Sequence, residues 1–133
     1  MPKLHGANML CVAAMCMAAC TPTDEPAATT KALRYEGVET RLLDDDLVNF
    51  RVQLRGDATR DEVDAYARCA AAQYALIRGF GFARHVRTNL REQGGVWIGD
   101  AVYTISPALP RGLQTLDAEV VAAACAEQGI PTV

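Results

Sequence analysis

From Leu47 to Leu54 the chain alternates, with Val48, Phe50, Val52 and Leu54 on one side and Asn49, Arg51 and Gln53 on the other. A period of two is the pattern of a strand with one face buried, and Gly56 closes it. Thr59-Arg60-Asp61-Glu62 then fits a capping box, so a helix is expected from here to about Arg78, with Gly79 placed to end it. At 100° per residue Val63, Tyr66, Ala67, Ala70, Tyr74 and Ile77 share one face of that helix, and Ala65, Cys69, Ala72 and Leu76 form a second apolar flank. Two apolar flanks predict cover on two sides, a sheet against the first and the chain around Cys125 against the second. Asp64 and Arg68 have the i, i+4 spacing of an ion pair.

Phe82 to Leu90 and Val96 to Ser106 read as two strands joined by Arg91-Glu92-Gln93-Gly94-Gly95, a hairpin connection. Ser106 to Gly112 holds two prolines and reads as a loop. The last segment fits two patterns: Leu116, Ala118 and Val120 alternate as a strand does, while Asp117 to Gln128 has helix propensity and stops at Gly129. An edge strand over 114–121 and a helical turn over 122–128 is the reading adopted. The order β-α-β-β-β-α describes one small α+β domain over residues 33–133. It has a three- to four-stranded, mainly antiparallel sheet packed against one long helix and a short C-terminal helix.

No run reaches the roughly 20 apolar residues of a spanning helix. The opening has a different pattern: a positive amino terminus with Lys3, then thirteen mostly apolar, uncharged residues from Ala7 to Ala19, which is a signal-peptide layout. Met17-Ala18-Ala19-Cys20 resembles the lipobox of bacterial lipoprotein precursors, in which a small pair precedes an obligatory cysteine; Met17 stands where leucine is commonest. The resemblance implies a signal peptide over residues 1–19, lipidation of Cys20 on sulfur, and fatty acylation (palmitate) of the new amino group. It also implies an envelope protein facing the periplasm, and Thr21, not being Asp, implies the outer rather than the inner membrane. A conventional signal peptide and a cytosolic protein with an apolar start are the alternatives. Each methylene of such an anchor contributes about 0.8 kcal/mol, so several chains on one cysteine hold permanently. Residues 20–32 form the lipidated cysteine and a tether rich in Pro, Thr and Ala, with a root-mean-square reach of roughly 20 Å and a contour of about 40 Å.

A length of 133 residues suits one domain around one core. A net charge of −3 speaks against the broad electropositive surface of nucleic-acid binding, so nucleic acid is not expected as a partner. Of five cysteines, processing would leave Cys69 and Cys125, which an oxidising compartment would pair; the alternative is two separate buried thiols acting as small hydrophobes. The string Tyr66 to Tyr74, followed by Arg78-Gly79-Phe80-Gly81-Phe82, is loosely similar to small uncharacterised proteobacterial envelope lipoproteins, a resemblance that implies no activity and carries no site residues.

The candidate chemistry is sparse. His85, Asp100 and Ser106 supply the side-chain types of a nucleophilic triad, the basis of an alternative reading as an envelope hydrolase, but no GxSxG elbow accompanies them. Asp44-Asp45-Asp46 reads as a solvated turn, since the EF-hand spacing is absent. Arg84, His85 and Arg87, with Arg78 and Arg91 nearby, form a candidate anion site in which His85 and Arg87 would point to the same side of a strand. Trp97 and Tyr103 share one face of the Val96 strand; burial within the domain is the favoured reading, and they become a candidate partner surface if the helix covers only the other face. Neither cofactor nor metal is expected. The leading reading is therefore a noncatalytic envelope module held to membrane lipid through acylated Cys20, with an envelope protein or an anionic glycan or lipid as its partner.

Overall fold

A computed structural model describes residues 32–133, so the signal segment, Cys20 and nearly all of the tether lie outside the described residues. In chain order the elements are β1 (Leu33–Leu42), β2 (Leu47–Gly56), α1 (Arg60–Ile77), β3 (Phe82–Gln93), β4 (Val96–Ser106), β5 (Thr115–Asp117) and α2 (Ala118–Gln128). The domain is α+β as expected, but its sheet has five strands in the order β1-β2-β4-β3-β5, every neighbouring pair antiparallel, where three to four were expected.

The extra strand is β1. Its alternation is broken, because Tyr35 pairs with Leu54 and Gly37 with Gln53, leaving Glu36 as a bulge. Gly37 takes φ 135° there, a value that side chains resist. Leu33 and Tyr35 therefore face the same side as Val38 and Thr40, a pattern that a period-two reading cannot see. A second bulge interrupts β3 at Val86, between the pairs His85–Tyr103 and Arg87–Val102. The β3–β4 hairpin turns on Gly94 and Gly95, with φ 60° and 77°, the two positive dihedrals of a two-residue primed turn.

The four apolar side chains of β2 are fully buried beneath α1, against Val63, Tyr66, Ala67 and Ala70. Alanines on this face let the helix lie close to the sheet. At Gly99 of β4 an added Cβ would stand 2.3 Å from Val63 Cγ1, so the helix approaches the β4 backbone directly. The helix starts as the capping box predicts, with Thr59 N–H donating to the Glu62 carboxylate at 2.6 Å. Ile77, placed on the buried face by the helical wheel, is instead 62% exposed in the last turn. At 18 residues α1 is of ordinary rather than notable length.

Cys69 on the second flank of α1 is bridged to Cys125 of α2 across a Cα separation of 5.9 Å, so the helix is covered on both sides. The expected strand over 114–121 is cut to three residues. The Asp117 carboxylate accepts from the N–H groups of Glu119 and Val120 at 3.0 and 3.1 Å, which starts a helix at once and extends it to eleven residues.

Candidate functional site

Side chains directly opposite across antiparallel strands share a face, so the register divides the sheet. One face holds Trp97, Gly99, Ala101, Tyr103 and Ile105 of β4 with Ala83, His85, Thr88 and Leu90 of β3, and it lies under α1. The other holds Ile98, Asp100, Val102 and Thr104 with Arg84, Arg87, Asn89 and Arg91, and among the described residues neither helix packs on it.

On the helix side a groove of about 640 Å³ runs between α1 and α2. The Cys69–Cys125 bridge, Leu116 and Val121 form its apolar wall. Asp61, Asp64 and Arg68 project from α1 along its rim, and His85 and Tyr103 lie on its floor. Asp64 and Arg68 do not close the ion pair their spacing suggested. Tyr103 is 4% exposed, and burial, with Asp64 adding to it, pushes its phenol well above the ordinary tyrosine range. The His85 ring meets Tyr103 edge to face at 5.1 Å between centroids.

His85 is clamped at both ring nitrogens. Its Nδ1 stands 2.6 Å from Gln114 Oε1, and its Nε2 2.7 Å from Thr88 Oγ1. An amide oxygen only accepts, so Nδ1 carries the hydrogen, and in the neutral ring Nε2 accepts from the Thr88 hydroxyl. Among the described residues Gln114 is the non-glycine residue with positive φ, at 60°, and its carbonyl also accepts from His85 N–H at 3.1 Å. Nothing in the pattern around Leu113-Gln114-Thr115 marked this residue beforehand, because its role depends on a left-handed turn that only the folded loop creates.

The structure separates the candidate triad. His85 faces the groove, whereas Asp100 and Ser106 project from the opposite face of the sheet. Asp100 accepts from Asn49 Nδ2, and Ser106 Oγ accepts from Ala108 N–H at 3.2 Å. The three side chains therefore do not converge on one face of the sheet. The candidate anion site is divided in the same way: the Val86 bulge turns Arg87 onto the face of Arg84, away from His85, so the expected shared side of His85 and Arg87 is not found. Trp97 and Tyr103 do not form an open surface either. Tyr103 is buried under α1 and Trp97 is half-buried against the core. Among the described residues no cluster of His, Cys, Asp and Glu has the arrangement of a metal site, and no helix is long and apolar enough to cross a membrane.

Residues 35–129 match a family model described as the YNQ4 C-terminal domain. An "Uncharacterized 26.9 kDa protein in nqo8 5'region" of Paracoccus denitrificans is 36% identical over 87 residues, covering 65% of this chain and 34% of that protein. The match thus spans about a third of the relative's length. No solved structure matches the chain.

Proposed function

The chain belongs to the YNQ4 C-terminal domain family, and from that premise we propose that it is a lipid-anchored, noncatalytic binding module of the bacterial envelope. In this reading Cys20 carries the acyl chains, residues 1–19 are removed, and the domain faces the periplasm, at the outer membrane in preference to the inner. The groove between α1 and α2 receives an envelope component.

The observation that carries the reading is the Cys69–Cys125 bridge. Disulfides persist in oxidising compartments and are rare in a reducing cytosol, so the bridge and the lipobox-like Met17 to Cys20 independently favour the same location. The binding role is supported by the concave, mixed polar and apolar groove. A noncatalytic role is supported by His85, whose two ring nitrogens are both engaged within the protein.

Expression of the full chain in a bacterial host, with fractionation of wild type and Cys20→Ala, tests the proposal. Wild type is expected in the membrane fraction after high-salt and alkaline washing, with a gain in mass at Cys20, and Cys20→Ala is expected to remain unlipidated and uncut. Wild type recovered in the cytosolic fraction with an unmodified Cys20 and reduced Cys69 and Cys125 would overturn it.

A further inference from the structure

The sheet face opposite α1 is unevenly charged. Of the eleven arginines between residues 33 and 133, seven lie on this face by strand register: Arg34, Arg41, Arg51, Arg55, Arg84, Arg87 and Arg91. They meet four carboxylates there, Glu36, Glu39, Asp100 and, beyond Phe82 on β5, Asp117, whose carboxylate caps α2. Arg34 and Arg55 share Glu36 at 3.3 and 3.1 Å, and Arg41 takes Glu39 at 2.6 Å, all on the β1 side. Toward the β3 side Arg84, Arg87 and Arg91 form no ion pair among the described residues. Arg51, flanked across the strands by Glu39 and Asp100, has a buried Nε without a hydrogen-bond partner among the described residues. Ile98 and Val102, at 8% and 3% exposure, lie outside the core cluster on this face and give it a nearly dry floor under the polar side chains. The rest of the domain carries the compensating acids, among them Asp44 to Asp46, Asp61 and Asp64, so a chain of net charge −3 presents one cationic plane.

We propose that this arginine face lies on the anionic headgroups of the membrane that holds the anchor. The inference rests on the lipid-anchored reading above, because a tether with a contour of about 40 Å keeps the domain within reach of that surface. Charge complementarity selects the face: guanidinium groups form paired hydrogen bonds with phosphate oxygens, and a broad cationic plane gains from a surface bearing many such groups. Held this way, the domain turns α1 and α2 away from the bilayer. The groove with His85 and Tyr103 on its floor then opens toward the periplasm. An isolated anion site would need convergent side chains, whereas these arginines are spread along strands, as contact with a plane requires.

The test uses the full chain with Cys20→Ala, so that no acyl chain contributes, and sedimentation with phosphatidylcholine vesicles or with vesicles containing phosphatidylglycerol. The apolar leader meets both compositions, so the difference between them reads the face. A preference for the anionic vesicles that weakens with salt is expected. Arg87→Gln with Arg91→Gln should reduce that preference roughly thirtyfold, taking about 1 kcal/mol for each arginine near an anionic surface. The charge-matched pair Arg60→Gln with Arg78→Gln, at the first residue and the C-cap of α1, should leave it within twofold. Both pairs alter exposed side chains, and far-UV circular dichroism verifies their folding. Equal binding to the two compositions, equal loss in the two pairs, or binding to a soluble polyanionic glycan without vesicle preference would overturn the proposal. Mass analysis of Cys20 in the wild type is independent of these outcomes, so failure of the anchor and failure of the face are told apart.

Discussion

Replacing Cys69 and Cys125 together with alanine removes the covalent link between α1 and α2 and leaves the rest of the groove chemistry in place. The bridge closes a sequence separation of 56 residues. In the chain-entropy account a loop of that length restricts the unfolded chain by about 4 kcal/mol. Both cysteines are 3% exposed, so two buried sulfurs are also exchanged for smaller methyl groups, which adds to the loss rather than offsetting it. For a domain of about 100 residues each kcal/mol moves the melting temperature by about 4–8 °C, so a fall of roughly 15–30 °C is expected. Thermal and urea unfolding, followed by circular dichroism with and without reductant, measure it. Reductant should lower the wild-type midpoint toward that of the double variant and leave the double variant unmoved. A double variant within about 1 kcal/mol of wild type, or a wild type indifferent to reductant, would refute the assignment of this bridge as the main staple between the helices.

Gly99→Ala places a methyl group 2.3 Å from Val63 Cγ1 and should cost about 1–3 kcal/mol, less when combined with Val63→Ala; a double-mutant cycle without coupling would contradict the close helix approach. Asp117→Ala should cost about 1 kcal/mol and fray the start of α2, read as faster amide exchange at Glu119 and Val120. Tyr103 and, to a smaller degree, Tyr66 have phenols raised above the ordinary tyrosine value by burial. A raised folded pKa means that the native state holds the proton more tightly. The contribution of these two phenols to stability is therefore level below about pH 10 and falls as pH rises beyond it, and Tyr103→Phe should flatten that alkaline fall, leaving the part due to Tyr66. Alkaline stability profiles of the two proteins that superimpose would contradict this.

The elements with unbroken periods were legible from the chain. β2, with four buried side chains at alternate positions, and α1, with its capping box and two apolar flanks, follow from local pattern, and the pairing of Cys69 with Cys125 agrees with the second flank. The failures share one cause, a local event that shifts the period. The Glu36 bulge hid β1, and the Val86 bulge put Arg87 on the face opposite His85. A single carboxylate at Asp117 turned an apparent strand into a helix. An open face at Trp97 and Tyr103 stayed an alternative to burial because sequence alone does not say which side of β4 the helix will cover. At the site, the Gln114 clamp on His85 spans 29 residues and depends on a left-handed backbone, so no spacing rule finds it.

In the proposed reading, lipid on Cys20 holds the domain outside the cytosol. The most direct measurement is the mass of the amino-terminal peptide from the full chain extracted from bacterial membranes. A peptide beginning at Cys20 with diacylglyceryl on sulfur and a fatty acyl group on the amino nitrogen is expected. A peptide beginning at Met1, or at any residue after Cys20 and without lipid, would contradict it.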